Sequence, residues 1–255
     1  MSSCAVRRGF ILEMIEKEEQ VAVSDLSRQF GVSEVTIRKD LKYLEKKNIL
    51  IRSHGGAIKQ SLIDVDLSIY DRRKQNIKLK EAIGAAAAGL IENGETILLD
   101  TGTTIMELAK HLPKKIELTV VTNSVDVTFR LADYQNIKVI MPGGILRRNS
   151  LALVGEQAAE SLRNYFCDKY FLSADGIDLH TGMMTMNIEE ASLARLNIKN
   201  SKMVIALIDS SKFLHKGIMV ICPLAAIDLL ITDNGILPAT LAQLRSFGMN
   251  VLVVN

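Results

Sequence analysis

The first sixty residues place apolar side chains at the spacing of α-helices. Apolar residues recur every three to four positions from Arg7 to Glu18, which predicts a first amphipathic helix. Ser24 is a good N-cap for a brief second helix that ends at Gly31, and Ser33 caps a third helix. The inward-facing positions of the three helices are Phe10, Ile11, Met14, Ile15, Leu26, Phe30, Ile37, Leu41 and Leu44.

The polar face of the third helix is cationic. At about 100° per residue, Arg38, Lys39, Lys42 and Lys46 fall on the side opposite Ile37. Lysines also decorate ordinary solvated helix faces, so this feature alone leaves both interpretations open. A helix, a short helix, a tight glycine turn and a basic third helix together predict a helix-turn-helix, whose last helix fits the major groove of DNA.

A short hairpin pattern follows the third helix. The run ILIRS is typical of a strand, Gly55 and Gly56 permit a tight turn, and AIK can return as the partner strand. This pattern predicts a winged helix-turn-helix. Arg52 and His54 on the wing would then lie against the sugar-phosphate backbone or in the minor groove. The alternative is a surface hairpin with no partner.

The charge distribution supports a nucleic-acid partner for this part of the chain. The net charge of the whole chain is only +2, but residues 1–80 hold 16 basic and 11 acidic groups, whereas residues 81–255 hold 15 and 18. A basic module next to a nearly neutral one suggests that the first meets a polyanion and the second has another task.

From Lys80 onward, strand-like apolar runs alternate with helical segments. This alternation predicts an α/β domain with an open, mainly parallel sheet that is covered by helices on both faces. Residues 61–79 lack a sustained apolar period and predict a linker between domains at 1–60 and 80–255. The predicted strands are 95–100, 118–124, 137–144, 169–176, 203–211, 228–235 and 250–254.

Polar and glycine residues follow the predicted strands, at the edge where open α/β sheets bind ligands. The run from Asp100 to Thr104 leads into a helix, where hydroxyls and free backbone N–H groups favour a phosphate. Taken alone, this run could also be an ordinary turn with a threonine N-cap. Together with Arg147, Asp175 and Lys212 after other strands, it suits a small polyhydroxylated anion.

Several other classes of site are not indicated. Neither a G-x-G-x-x-G fingerprint nor a phosphate-binding G-x-x-x-x-G-K-[ST] loop occurs, and the four histidines lack the spacing of metal ligands. The three cysteines are widely spaced and odd in number, which fits a reducing compartment better than a disulfide framework. The apolar run at 82–91 is about half the length needed to cross a bilayer. We expect a soluble cytoplasmic protein without metal or cofactor.

The head resembles that of the DeoR-type bacterial repressors. Their pattern S-x-x-T-I-R-x-D-L-x-x-L-E, followed by R-x-H-G-G-A, matches residues 33–45 and 52–57 of this chain. The resemblance implies that this head binds double-stranded operator DNA. The implied DNA-binding residues are Ser33, Glu34, Thr36, Arg38, Lys39, Lys42, Arg52, His54 and Gly55.

The remainder resembles the effector domain of the same family, whose fold is similar to ribose-5-phosphate isomerase. The resemblance covers essentially the whole chain and implies a sugar-phosphate effector. The implied ligand-binding residues are Lys80, Asp100, Thr101, Gly102, Thr103, Thr104, Asn123, Gly143, Gly144, Arg147, Asp175, Glu190 and Lys212.

These features favour a transcriptional repressor of a carbohydrate uptake or catabolism operon, released by a phosphorylated sugar or sugar alcohol and acting as a homo-oligomer. The alternative is a sugar-phosphate isomerase-like enzyme with a DNA-binding appendage. The isomerases carry a Glu and a Lys where this chain has Gly176 and Asn187, so we expect no catalytic residue. A third possibility is a DNA-binding protein whose second domain is inert.

Overall fold

A computed structural model of the chain describes residues 4–18, 20–46, 50–53, 55–59 and 66–255. The chain divides into two compact units, Met1–Leu62 and Ile63–Asn255. The second unit therefore begins before the predicted boundary at residue 80.

The first unit is a winged helix-turn-helix, as predicted. Its elements are α1 (Cys4–Glu18), β1 (Gln20–Ala22), α2 (Val23–Phe30), α3 (Glu34–Lys46), β2 (Leu50–Ser53) and β3 (Gly56–Lys59). The strands form an antiparallel sheet in the order β1-β3-β2.

Of the two predictions for the ends of α2, the one for its C-terminus is confirmed and the one for its N-cap is wrong. Gly31 adopts the left-handed conformation, with φ 61°, and ends α2 as predicted. Ser24 is not the N-cap, because α2 begins at Val23 and extended Ala22, two residues before Ser24, holds the cap position. Pairing of β1 with the wing strand β3 sets that start, since Ala22 is opposite Gly56 in the sheet.

A buried ion pair ties α1 to α3. Asp40 is 1% exposed, and its carboxylate accepts hydrogen bonds from Arg7 Nε at 2.6 Å and Arg8 Nε at 2.8 Å. Burial opposes its ionisation, yet these hydrogen bonds hold the pKa of Asp40 below its usual value. Removing one partner of such a pair costs about 3–5 kcal/mol. The pair therefore fixes the helix that carries the cationic face.

The second unit is built on a seven-stranded sheet in which every neighbouring pair is parallel, and this confirms the predicted α/β class. Its strands are β4 (Thr96–Leu99), β5 (Leu118–Thr122), β6 (Ile137–Ile140), β7 (Ile145–Arg147), β8 (Ala152–Val154), β9 (Cys167–Leu172), β10 (Gly176–Asp178), β11 (Gly182–Thr185), β12 (Ser201–Leu207), β13 (Met219–Cys222), β14 (Leu229–Asp233) and β15 (Val251–Val254). The sheet order is β15-β14-β12-β9-β4-β5-β6. Strands β7 and β8 form a separate ribbon, and β10, β11 and β13 form a small antiparallel sheet.

Helices cover this unit and complete its core. They are α4 (Ile69–Lys74), α5 (Ile77–Gly89), α6 (Thr103–Ala109), α7 (Val125–Leu131), α8 (Glu156–Leu162), α9 (Ile188–Lys199) and α10 (Pro238–Ser246), with 3₁₀ turns at Leu112–Lys114, Ser210–Leu214 and Leu224–Ala226. Alternate residues of the strands enter two buried clusters: Leu98 and Tyr170 belong to one, and Leu99 and Phe171 to the other. Both faces of the sheet are therefore buried, as expected for parallel strands.

The direction in which successive strands are added to the sheet reverses between β4 and β9. After β4 the strands add outward through β5 and β6, and β9 then returns to the other side of β4, with Leu99 paired to Phe171. In open α/β sheets, such a switch point opens a crevice beyond the carboxyl ends of the strands. The described part of the predicted linker, 66–79, carries α4 and the start of α5 and belongs to this unit.

Candidate functional site

Two adjoining clefts lie at the switch point, beyond the ends of β4 and β9. Arg72, Ser173 and Ala174 line both. The acidic cleft also includes Asp100, Thr101, Ser150, Asp175, Thr185 and Glu190. The basic cleft also includes Gln75, Asn76, Lys80, Gly102, Thr103, Thr104, Asp209, Ser211 and Lys212.

Asp100 connects the two strands of the switch point. Its carboxylate accepts hydrogen bonds from the backbone N–H of Thr101 at 2.8 Å and of Ser173 at 3.1 Å. Burial raises the pKa of Asp100 to about 7, against the effect of these two hydrogen bonds. The neighbouring Glu190 adds to the rise. A carboxyl group in this setting exchanges its proton near neutral pH.

The other two carboxylates of the acidic cleft differ in their partners. Asp175 accepts hydrogen bonds from Arg72 Nη1 at 2.8 Å, Thr185 Oγ1 at 2.9 Å and the Met186 N–H at 3.0 Å. Burial opposes its ionisation, but the Arg72 guanidinium and these hydrogen bonds hold the pKa of Asp175 below its usual value. Burial raises the pKa of Glu190. The cleft thus offers hydrogen-bond acceptors of unequal basicity.

The basic cleft is lined by hydroxyls and cations. Lys80 is 5% exposed, and its Nζ donates to the carbonyl oxygens of Arg72 at 2.6 Å and Gln75 at 2.8 Å. Burial lowers the pKa of Lys80 to about 8, so most of this ammonium is charged at neutral pH. Gly102 turns the chain into α6 with φ 139°, and an added Cβ would lie 2.8 Å from Ser173 Oγ. A glycine is required here, because it adopts this φ without strain and leaves room for the Ser173 side chain.

The structure brings together nine of the predicted ligand-binding residues. Asp100, Thr101, Asp175 and Glu190 line the acidic cleft, and Lys80, Gly102, Thr103, Thr104 and Lys212 line the basic cleft. Arg147 lies behind the acidic cleft, where Nη1 donates to Glu190 Oε1 at 3.0 Å and Ser150 Oγ at 3.1 Å. Its guanidinium also pairs with Asp66.

Besides Arg147, three predicted ligand-binding residues lie outside the linings of both clefts, which differs from the expectation. Asn123 is 3% exposed, and its Nδ2 donates to the Leu153 carbonyl at 3.1 Å, which fixes β8. Gly144 has φ 138°, and an added Cβ would lie 2.7 Å from the Val154 carbonyl oxygen. Gly143 precedes it in the same connection. The contacts of Asn123 and Gly144 indicate packing of the β7–β8 ribbon, whereas Gly143 is exposed and has no neighbour within 4 Å of an added Cβ.

Sequence reasoning missed residues that precede the predicted domain. Arg72 and Asn76 line the basic cleft, and Asn76 Nδ2 donates to Asp209 Oδ1 at 3.1 Å and Ser211 Oγ at 3.2 Å. The available signal in the sequence was the unusual polar cluster DRRKQN, residues 71–76. Its partners lie far along the chain, and when they are not known the cluster resembles a solvated hinge. Ser150, Ser173 and Thr185 were missed because single hydroxyl residues carry no pattern.

Most of the predicted DNA-binding residues that the structure describes are exposed on α3 and the wing. Ser33 Oγ accepts a hydrogen bond from the Thr36 N–H at 3.3 Å and starts the helix. Further along α3, Arg38, Lys39 and Lys42 are exposed, and Arg38 pairs with Glu34 at 2.7 Å. On the wing, Arg52 is exposed and Gly55 has φ 88°. His54 lies outside the described residues.

The part of the chain that the structure describes lacks two further kinds of feature. Within it, no helix combines the length and apolar character needed to traverse a lipid bilayer. No group of three or more His, Cys, Asp or Glu side chains there is arranged to hold a metal ion.

Comparison with known proteins agrees with the two-unit architecture. The DeoR-like helix-turn-helix domain matches residues 7–61, and the DeoR C terminal sensor domain matches residues 75–234. The chain is 38% identical to the putative aga operon transcriptional repressor of Escherichia coli O157:H7, covering 97% of this chain and 93% of that protein. It is 30% identical to the glycerol-3-phosphate regulon repressor of Escherichia coli K12, covering 89% and 90%.

Among solved structures, ribose 5-phosphate isomerase A of Methanocaldococcus jannaschii is similar at a TM-score of 0.41 and 19% identity, over 54% of this chain and 55% of that one. The two domain matches and the full-length relatives carry the assignment. The chain belongs to the DeoR family of transcriptional repressors.

Proposed function

We propose that the chain represses a carbohydrate uptake or catabolism operon and is released from double-stranded operator DNA by a phosphorylated sugar or sugar alcohol. One observation carries the proposal: a cleft with cations and hydroxyls joins a cleft with three carboxyl groups at the switch point of the sheet. The relatives support it, since one is named for the aga operon and another for the glycerol-3-phosphate regulon.

The two clefts divide the effector between them. Phosphate oxygens accept hydrogen bonds, so they suit the hydroxyls of Thr103 and Thr104 and the ammonium of Lys212 in the basic cleft. Sugar hydroxyls donate hydrogen bonds, so they suit Asp175 and Glu190 in the acidic cleft. The effector we propose therefore carries its phosphate at one end and free hydroxyls at the other.

Release from DNA follows from linkage between the two units. An effector that binds the released state about 100-fold more tightly than the DNA-bound state shifts the equilibrium by about 2.7 kcal/mol. A single small head reads few base pairs, so we propose a homo-oligomer that places two heads on repeated half-sites.

The positions that distinguish this chain from the isomerases have structural tasks. A Cβ on Gly176 would lie 2.1 Å from the His215 carbonyl oxygen, so this strand start leaves no room for a side chain. Asn187 Oδ1 accepts the Glu190 N–H at 2.9 Å and caps α9. Both observations support a sensor that binds the sugar phosphate without converting it.

Thermal unfolding of the full chain with a panel of sugar phosphates and sugar-alcohol phosphates tests the proposal. At least one should raise the Tm, and its unphosphorylated counterpart should not. Lys212→Met should weaken that ligand by about tenfold or more, because a charge-assisted hydrogen bond is lost. Lys138→Met, at an exposed lysine on the edge strand β6, is the matched control.

Two results would contradict the proposal. One is a panel in which no ligand shifts the Tm, and the other is equal binding by the Lys212 and Lys138 variants. Magnetic resonance spectra of the same samples should show the ligand unchanged, and conversion of any sugar phosphate would favour the isomerase-like alternative.

A further inference from the structure

The segment just before α5 is held across both clefts almost entirely by polar contacts. We call residues 66–76 the strap. Its only buried residue is Ile69. The Ile69 N–H donates to the Asn149 carbonyl at 2.7 Å, and Asp66 accepts from Asn149 Nδ2 at 2.8 Å and pairs with Arg147. A segment anchored in this way moves when its polar partners change.

Arg72 is the strap residue that faces both clefts. Its side chain is 18% exposed, and Nη1 lies 2.8 Å from Asp175 Oδ1. Its Nε is buried and has no hydrogen-bond partner among the described residues. A guanidinium has five N–H donors, and a buried donor without an acceptor is costly. This geometry leaves Arg72, which lines both clefts, with capacity for another acceptor.

We propose that Arg72 is an effector-binding residue whose guanidinium exchanges Asp175 for the effector phosphate, and that this exchange repositions the strap. The inference rests on the proposed function and deepens it. It names the residue that detects the anion and the segment that responds to it.

The exchange is favourable for the guanidinium and tolerated by the carboxylate. A phosphate monoester carries a charge of about −1.5 to −2 near neutral pH, against −1 for a carboxylate, and it accepts two parallel hydrogen bonds from a guanidinium. Asp175 keeps its hydrogen bonds from Thr185 Oγ1 and the Met186 N–H when Arg72 leaves, so its charge is not stranded.

The connections of the strap transmit the change. Lys80 Nζ is bonded to the backbone carbonyls of Arg72 and Gln75, and Asn76 is bonded to Asp209 on the far wall of the basic cleft. In sequence, the strap begins shortly after Leu62, the last residue of the DNA-binding unit. A shift of Arg72 toward an anion therefore acts on the segment that leads to the head.

Titration of the full-length chain with inorganic phosphate, followed by calorimetry, measures the contact directly. Arg72→Gln should weaken phosphate binding by about tenfold or more, because a charge-assisted pair is removed. Asp175→Asn should strengthen it, because Arg72 loses its competitor. Arg73→Gln should match the wild type, since Arg73 is the next residue of α4 and pairs with Asp126, outside both cleft linings.

The opposite signs for Arg72→Gln and Asp175→Asn separate a binding role from a folding role, because both variants remove the same ion pair. Equal phosphate affinity of Arg72→Gln and Arg73→Gln, or no gain in Asp175→Asn, would overturn the inference. So would normal release of Arg72→Gln from operator DNA by a sugar phosphate, and that result would leave the proposed function intact. Phosphate binding through Arg72 without DNA release by any sugar phosphate would instead support the contact and contradict the proposed function.

Discussion

Asp100 illustrates how burial sets the chemistry of the clefts. It directly follows the first strand of the parallel sheet, and its carboxylate accepts hydrogen bonds from two backbone N–H groups. Those bonds favour the charged form, but burial outweighs them and the pKa rises to about 7. The side chains of Tyr170 and Glu190 that adjoin it supply no positive charge. The carboxyl group is therefore held partly protonated at neutral pH.

The pH dependence of stability tests this environment. The folded-state pKa of about 7 lies above the unfolded value of about 3.9, so the folded state binds the additional proton between these limits. The resulting stabilisation is complete below pH of about 4 and is lost as pH rises through 7. Asp100→Asn should therefore flatten the fall in the free energy of unfolding between pH 5 and pH 8, measured with denaturant.

Asp168→Asn is the control for this prediction. Its hydrogen bond from Lys202 holds the pKa of Asp168 below its usual value, so its contribution is lost at acid pH instead. If Asp100→Asn followed the wild-type slope between pH 5 and pH 8, a buried, weakly acidic Asp100 would be contradicted.

At the scale of elements, α3 combines a buried face that holds it in the head with an exposed cationic face. Ile37, Leu41 and Leu44 are fully buried. The Asp40 carboxylate accepts a hydrogen bond from Arg7 of α1. The opposite face presents Arg38 and its neighbours to solvent. This division suits α3 to the role in reading DNA that we propose for it.

Substitutions on α3 should separate base reading from phosphate contact. Arg38→Ala should weaken operator binding by about 1–3 kcal/mol and relax sequence preference, whereas Lys42→Ala should weaken all DNA alike and lower the salt slope by about 1. Arg163→Ala is a matched control, because Arg163 and Arg38 are both 58% exposed and each pairs with a nearby helical glutamate. Arg163 is the C-cap of α8 and lies in the other unit. Equal operator affinity of the Arg38 and Arg163 variants, measured by fluorescence anisotropy, would refute the assignment of α3.

Elements with a strong apolar period could be predicted from sequence, and α4 could not. The period of α3 and the apolar runs of the parallel strands follow from local burial. By contrast, α4 buries only Ile69 and is held by partners far along the chain, such as Asp175. Contacts with such distant partners leave no local pattern in the sequence. The segment therefore resembles a linker, and Arg72 was not predicted as a site residue.

The site shows the same limit. Residues that follow β4 and β9 could be placed at one edge because parallel strands end together. Asn123 also follows a strand, yet its side chain donates a hydrogen bond to the β8 backbone and lines neither cleft. Which way a side chain turns depends on neighbours distant in sequence.

At the scale of the whole molecule, we propose that an effector couples the DNA-binding unit to the sensing unit by favouring the released state. A ligand shifts such an equilibrium only as far as its affinities for the two states differ. Binding of a sugar phosphate to the clefts and loss of DNA must therefore occur over the same range of ligand concentration.

The most direct test measures binding of the full chain to duplex DNA from its own promoter at increasing salt, with and without the sugar phosphate that raises the Tm. The account predicts that log K falls linearly with log salt, and that the ligand lowers operator affinity by about 100-fold at fixed salt. Affinity that ignores ionic strength, or that no bound ligand changes, would contradict it.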